Sequence, residues 1–203
     1  MSFHPKMAYD ATFHKSARVL GDEGAAFSYS TENRARLDEI VKRYPAEQRR
    51  SAVLPALYLV QAQLGYITAS AMRHVAEVLG ITAADVEDVV SYYSMFYRRP
   101  VGRFVLNVCR TLSCAVNGAE RVTEEICAKL KIKPGETDPS GTFTLAEVEC
   151  LGACDRAPVV MVNDAWQENL QPEQVGKWLD DLRTKGESSL SGCHHVVEHR
   201  RVD

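Results

Sequence analysis

Residues 104–114 read Phe-Val-Leu-Asn-Val-Cys-Arg-Thr-Leu-Ser-Cys, a short apolar run that leads directly into two cysteines. The run begins after Gly102 and ends at the first cysteine, which predicts a β-strand over Phe104–Val108. Cys109 then lies just past the end of a strand, and Cys114 lies just before a segment with helical spacing. This part of the chain therefore predicts a strand, a loop that carries two thiols, and a helix.

A second pair of cysteines, Cys150 and Cys154, occupies a similar position in the motif Cys-Leu-Gly-Ala-Cys. It follows an alternating segment, Phe143–Val148, and precedes an apolar run, Val159–Val162, and both segments are predicted to be strands. The small residues between the two cysteines allow the backbone to wrap closely and to aim N–H groups at sulfur atoms. If the first two strands are neighbours, both cysteine loops leave the sheet at the same edge and the four sulfurs converge.

Four thiolates in this arrangement are typical of an iron–sulfur site, because ferric iron and bridging sulfide need soft, anionic ligands. The spacing favours one [2Fe–2S] cluster held by Cys109, Cys114, Cys150 and Cys154. Zinc also takes four cysteines, although its structural sites most often use Cys-x₂-Cys pairs, and neither pair here has that spacing. Four unligated thiols are the remaining alternative.

The segments around the cysteines predict an α/β domain. Gly118 to Leu130 has helical spacing, Asn163-Asp164 predicts a turn after the third strand, and Pro172 to Leu182 predicts a closing helix with one apolar face. A β-α-β-β-α order of this length is typical of an α/β sandwich of thioredoxin-like size.

The segment from Glu32 to Pro100 is predicted to be a small bundle of four helices. Proline and glycine mark three helix ends, and a threonine is predicted to cap the start of the third helix. The fourth begins with Thr82-Ala-Ala-Asp85, which has the form of a capping box. We therefore predict an N-terminal arm over 1–29, a helical bundle over 30–98, the α/β domain over 99–185 and a C-terminal tail over 186–203.

Composition and charge exclude several classes of protein. The net charge is −3 and no basic stripe points to nucleic acid. The longest strongly apolar stretch, Ala52 to Ala62, is too short to cross a bilayer, and the N-terminus lacks the apolar core of a signal peptide. A cytoplasmic location is therefore expected, with no direct membrane insertion. In a reducing compartment the six cysteines indicate metal or redox chemistry rather than a disulfide framework.

Three stretches carry a family resemblance: Leu54-Pro-Ala-Leu-Tyr-Leu-Val-Gln, Val90-Ser-Tyr-Tyr-Ser-Met-Phe, and Glu149-Cys-Leu-Gly-Ala-Cys-Asp-Arg-Ala-Pro158. On these residues the sequence resembles the thioredoxin-like [2Fe–2S] subunit (the E subunit, of the 24-kDa type) of NADH:quinone oxidoreductase, respiratory complex I, from about Asn33 to Leu182. The fold class expected from the residues and the resemblance is α+β, a small N-terminal helical bundle followed by a thioredoxin-like α/β [2Fe–2S] ferredoxin domain.

The resemblance implies that Cys109, Cys114, Cys150 and Cys154 ligate the cluster and that the bundle helps to dock the chain on a flavoprotein partner. That partner binds NADH and FMN, and the cluster accepts single electrons from the flavin during NADH oxidation and quinone reduction. Further partners are the other iron–sulfur subunits of the peripheral arm, on the cytoplasmic face of the inner membrane. The chain is then one subunit of an enzyme and carries no catalytic hydride-transfer site, in keeping with the absence of a G-x-G-x-x-G motif.

Related subunits with the same cluster motif occur in NAD-dependent formate dehydrogenases and NAD(P)-linked hydrogenases, and these remain alternatives. A stand-alone thioredoxin-like ferredoxin is another, although a free ferredoxin does not need an N-terminal bundle.

Several other residues have competing interpretations. Cys127 is expected to be a buried, inert thiol, and His74 a histidine at the surface or the edge of the core. Cys193-His194-His195 with His199 resembles a metal site, but its glycine- and serine-rich surroundings predict a tail. Arg110 and Arg156 either offset the charge of the cluster or are solvated. The aromatic run Tyr92–Tyr97 is expected to pack in the core, to form a subunit interface, or both.

Overall fold

The structure is a computed structural model that describes residues 26–190. Most of the predicted arm (1–29) and of the predicted tail (186–203) lies outside this range, and so do Cys193, His194, His195 and His199. The chain divides into two compact units between Pro100 and Val101.

The first unit contains the four predicted helices. They are α1 (Thr31–Val41), α2 (Val53–Leu64), α3 (Ala69–Leu79) and α4 (Ala83–Tyr92), with a 3₁₀ segment at Ala46–Ala52. The predicted starts of α3 and α4 and the glycine ends of α2 and α3 are confirmed, whereas α1 ends at Val41, before Pro45, the proline expected to end it. The Thr68 side chain accepts a hydrogen bond from the Ala71 N–H, Thr82 and Asp85 form the capping box, and Gly65 and Gly80 end their helices in the left-handed conformation.

The core of the first unit is apolar and extends to residues before α1. Leu37, Leu57 and Ile67 are fully buried, and Tyr29 is buried with its hydroxyl donating to the Ala56 carbonyl oxygen at 3.0 Å. Tyr29 also packs against the ring of His74, with ring centroids 5.4 Å apart. His74 thus lies at the edge of an aromatic cluster, as expected.

The aromatic run after α4 is divided between core and surface. Phe96 is buried in the core of the first unit, whereas Tyr92 is 79% exposed and Met95 is 39% exposed. The buried Gln61 amide holds this run in place: its nitrogen donates to the Met95 carbonyl oxygen at 2.8 Å, and its oxygen accepts from the Tyr97 N–H at 2.9 Å.

The second unit is an α/β domain built on one four-stranded sheet. Its strands are β1 (Phe104–Cys109), β2 (Phe143–Val148), β3 (Val160–Val162) and β4 (Ala165–Gln167), in the order β2-β1-β3-β4. β1 and β2 are parallel, and the other two pairings are antiparallel. The helices are α5 (Leu112–Val116), α6 (Ala119–Leu130) and α7 (Val175–Lys185), with 3₁₀ turns at Cys154–Arg156 and Pro172–Gln174.

The structure adds two short elements to the predicted order. β4 forms a hairpin with β3 through the predicted Asn163-Asp164 turn, where Asn163 has φ 53°. α5 contains Cys114, so this cysteine lies within a short helix rather than before one. Both elements are too short to show a period in the sequence, β4 with three residues and α5 with five.

The parallel pair β1/β2 is packed tightly at its start. A Cβ added at Gly102 would lie 2.8 Å from the Phe143 carbonyl carbon, so only glycine fits there without a shift of the backbone. The Gly102 N–H donates to the Thr144 hydroxyl at 2.6 Å, and the Asn163 side chain accepts from the Val105 N–H at 2.8 Å.

Between residues 26 and 190, no helix combines the length and the hydrophobicity that a bilayer crossing requires.

A candidate iron–sulfur site at the carboxyl ends of β1 and β2

The parallel ladder brings the two cysteine loops together. Its last pair in register is Cys109 with Val148, and the Arg110 N–H donates to the Val148 carbonyl oxygen at 3.0 Å. Cys109 is the last residue of β1, and Cys150 lies two positions beyond the end of β2. Because both strands run in the same direction, their loops leave the sheet side by side, as expected from the sequence.

The four cysteines form two pairs. The Sγ atoms of Cys150 and Cys154 are 3.4 Å apart, and the Cys114 thiol is hydrogen-bonded to the Cys109 sulfur. Between the pairs the interaction is electrostatic: a thiolate at Cys154 contributes to the raised pKa of Cys114, and a thiolate at Cys109 contributes to the raised pKa of Cys154. No group of three or more His, Cys, Asp or Glu side chains within residues 26–190 forms a site for a single metal ion.

The two pairs differ in exposure. Cys109 and Cys114 are each only 2% exposed, whereas Cys150 and Cys154 are exposed. The site therefore has a buried side next to the sheet and an open side formed by the second loop.

Backbone N–H groups point at the sulfurs. The Gly152 N–H donates to the Cys150 sulfur at 3.4 Å, and the backbones of Leu151 and Val159 donate to the sulfurs of Cys109 and Cys114. Gly152 has φ +82° and open space where a Cβ would lie. Glycine is therefore favoured at this position by the backbone conformation and not by crowding. Donors of this kind stabilise thiolates and tune the potential of a bound cluster.

The local environment separates the pKa values of the thiols. Burial alone would raise the pKa of Cys109, but hydrogen bonds from Thr111 and from the Leu151 backbone outweigh it and hold that pKa below its usual value. Burial raises the pKa of Cys114 to about 11. The hydrogen bond and charge of Cys150 raise the pKa of Cys154. Of Cys109, Cys114 and Cys154, Cys109 is thus the thiol that ionises most readily, and a metal must displace the protons of Cys114 and Cys154.

Charged side chains surround the loops. Arg110 Nη2 lies 2.7 Å from Glu149 Oε1, and Arg156 Nη1 lies 3.1 Å from Glu168 Oε2. Both arginines, for which the sequence allowed two interpretations, are thus in ion pairs. The partners Glu149 and Glu168 were not found from the sequence, and neither was the Thr111 hydroxyl, 3.2 Å from the Cys109 sulfur.

Cys127 is not part of this group. It lies on α6, half-buried against the core of the second unit, and burial raises its pKa. The sequence predicted a buried, inert thiol, and the structure shows a half-buried one that offers a matched control for substitutions in the site.

The donor set fits a [2Fe–2S] cluster. Four thiols lie in two pairs on loops that leave adjacent strands, N–H donors face the sulfurs, and the second pair is exposed to solvent. Four cysteine thiolates are also the common ligand set of such clusters.

Comparison with known proteins identifies relatives whose family is named for such a cluster. The sequence pattern of the thioredoxin-like [2Fe–2S] ferredoxins matches residues 37–183. The E subunit of NADH-quinone oxidoreductase from Mycobacterium bovis is 42% identical over 166 residues, which are 80% of this chain and 65% of that protein. The corresponding protein of Rickettsia bellii is 39% identical over 158 residues, which are 77% of this chain and 95% of that protein.

A solved structure shares the fold. A crystal structure of an NAD⁺-reducing [NiFe]-hydrogenase superposes with a TM-score of 0.59 and 18% identity, over 66% of this chain and 22% of that one. The family resemblance and the fold class expected from the sequence are both confirmed. With the family pattern matched across most of its length, and with E subunits of NADH-quinone oxidoreductase among its relatives, the chain belongs to the thioredoxin-like [2Fe–2S] ferredoxin family.

Proposed function

We propose that this chain is the [2Fe–2S] electron-transfer subunit of the NADH dehydrogenase module of respiratory complex I. The observation that carries the proposal is that the two loops with Cys109, Cys114, Cys150 and Cys154 leave the ends of two adjacent parallel strands. Its relatives named as E subunits of NADH-quinone oxidoreductase support the choice of complex.

In this proposal the four cysteines hold one [2Fe–2S] cluster, and the residues around them set its properties. The bound cluster accepts and returns one electron at a time. Cys109 and Cys114 anchor it to the sheet, and the N–H groups of Leu151, Gly152 and Val159 donate to the sulfurs. Fixed donors of this kind favour the more negative, reduced state, since they already point at the atoms on which charge accumulates.

The electron donor is proposed to be FMN on a partner flavoprotein that also binds NADH. The proposed place of the chain is peripheral, on the cytoplasmic face of the inner membrane and beside other iron–sulfur subunits. The helical bundle provides a separate surface for docking. It presents Tyr58, Tyr92 and Met95 to solvent, and tyrosine and methionine are enriched at protein interfaces.

The first experiment is an anaerobic absorption spectrum with iron and sulfide analysis, followed by EPR of the dithionite-reduced chain. A red-brown protein with two irons and two sulfides per chain and a rhombic S = ½ signal is expected. A colourless protein with one zinc per chain would overturn the electron-transfer proposal and favour a structural zinc site.

A second experiment tests the partner. The chain is co-purified with the NADH-binding flavoprotein of the same organism, and NADH is added anaerobically. NADH should reduce the cluster of the complex within the turnover time of the flavin and leave the cluster of the chain alone oxidised. If the flavoprotein does not co-purify, the stand-alone ferredoxin is favoured. If the flavoprotein that co-purifies belongs to a formate dehydrogenase or a hydrogenase, the host complex is corrected.

A further inference from the structure

The side chains of Arg110 and Glu149 join the two cysteine loops. Arg110 follows Cys109 directly, and Glu149 precedes Cys150 directly. The Nη2 and Nε atoms of Arg110 both donate to Glu149 Oε1, at 2.7 and 3.2 Å. The pair thus connects the two loops at positions one residue away from a cysteine on each.

The backbone fixes this pair in place. The parallel ladder ends with Cys109 opposite Val148, and the next hydrogen bond runs from the Arg110 N–H to the Val148 carbonyl oxygen at 3.0 Å. Arg110 and Glu149 therefore continue the ladder with a side-chain contact where its backbone hydrogen bonds end. The Arg110 side chain is 29% exposed and that of Glu149 is 68% exposed, so the contact lies at the surface with its guanidinium partly sheltered.

We propose that Arg110 and Glu149 are positioning residues that hold the two cysteine loops together and whose opposite charges cancel beside the cluster. This inference rests on the proposed function, because it assigns the pair a role toward the cluster. It explains why an arginine can adjoin the first ligand without its full positive charge acting there: the carboxylate lies within hydrogen-bonding distance of the guanidinium.

The proposed charge cancellation predicts opposite shifts of the midpoint potential for the two single variants. A positive charge near a cluster favours its reduced state and raises the potential, and a negative charge lowers it. Arg110→Gln leaves the Glu149 carboxylate uncompensated and should lower the potential. Glu149→Gln removes the negative charge beside the guanidinium and should raise the potential. The double variant R110Q/E149Q loses no net charge and should stay near the unsubstituted chain. A purely structural contact predicts no such opposition.

The tie between the loops predicts a common effect on cluster retention. Each single variant, and the double variant, should lose iron to a chelator about two- to fivefold faster than the unsubstituted chain, the range expected for an exposed ion pair. Arg34→Gln is the matched control, because it breaks an exposed arginine–carboxylate pair with Asp38 within α1 of the first unit. It should change neither the potential nor the rate of iron loss.

The test is a double-mutant cycle on the full chain, read by redox titration, by iron release and by urea unfolding of the cluster-free chain. Opposite shifts of the potential, with the double variant restored, support the charge cancellation. Shifts in the same direction, or no shift, overturn it. Faster iron loss in all three variants, with non-additive unfolding energies, supports the tie, and unchanged iron loss with additive energies overturns it. If the unsubstituted chain holds no cluster, the proposed function fails, and the unfolding cycle still decides the tie.

Discussion

Serine substitution of the four cysteines, one at a time, tests the ligand assignment directly. Cys109→Ser, Cys114→Ser, Cys150→Ser and Cys154→Ser each replace a soft thiolate by a hydroxyl of similar size, which is a poor ligand for iron–sulfur clusters. Cys127→Ser is the matched control, since Cys127 is half-buried on α6 and outside the site. In all four site variants the cluster content should fall or the EPR signal should change, and both should stay unchanged in the control.

The free energy of unfolding of the cluster-free chain should divide the same four serine variants into two groups. Cys150 and Cys154 are exposed, so their substitution should change the free energy of unfolding by no more than about 0.5 kcal/mol. Cys109 and Cys114 are 2% exposed, and burying a hydroxyl in their place should cost about 1–3 kcal/mol. Cys109→Ser should lie at the lower end, because the Thr111 hydroxyl lies within hydrogen-bonding distance of that position.

The contrast between the two measurements separates a ligand from a structural cysteine. Iron and sulfide content and the EPR spectrum report the ligand role, and urea unfolding of the cluster-free chain reports the structural cost. Cys150→Ser is the decisive variant, because its fold should be undisturbed while its cluster is lost or its EPR signal altered. An unchanged signal in Cys150→Ser, or a lost cluster in Cys127→Ser, would refute the assignment.

Three further predictions concern the surrounding fold. Burial raises the pKa of Cys114 to about 11, whereas an unfolded cysteine ionises near pH 8.5. The contribution of Cys114 to the stability of the cluster-free fold should therefore persist up to about pH 8.5 and be lost as the pH rises toward 11, and Cys114→Ala should flatten that loss in urea titrations at several pH values. Gln61→Leu removes two buried hydrogen bonds and should cost about 2–4 kcal/mol in thermal unfolding, and a loss below about 0.5 kcal/mol would contradict the role of Gln61. Gly102→Ala should cost about 1–3 kcal/mol because its Cβ meets backbone at 2.8 Å, whereas Gly176→Ala meets only a flexible lysine side chain at 3.3 Å and should cost less by the same denaturation assay.

The sequence was sufficient for most of the helix ends and for placing both cysteine loops at one edge of the sheet. Thr68 and Gly80 mark the ends of α3 through local hydrogen bonds and backbone conformation, which depend on few neighbours. The cysteines were predicted to converge because each pair follows a strand, and parallel neighbouring strands place their loops together. This required only that β1 and β2 be adjacent, as they are.

The contacts between the two loops could not be predicted, because they depend on the register of the sheet, which no local sequence pattern specifies. Arg110 and Glu149 are 39 residues apart, and they meet only because Cys109 pairs with Val148. A shift of the register by one residue would place each side chain on the other face of its strand. An arginine and a glutamate beside cysteines are ordinary surface residues until that register is known, which is why Glu149 was missed.

The order of the strands also explains why two similar cysteine pairs differ in exposure. β1 lies between β2 and β3, so Cys109 at its end is flanked by strands on both sides, and Cys114 is buried within α5. β2 is an edge strand, and the loop that follows it carries Cys150 and Cys154, which are exposed. Spacing alone treats the two pairs as equivalent. The strand order makes the first pair the anchored side and the second pair the side that solvent, a chelator or a redox partner reaches first, so cluster loss should begin at Cys150 and Cys154.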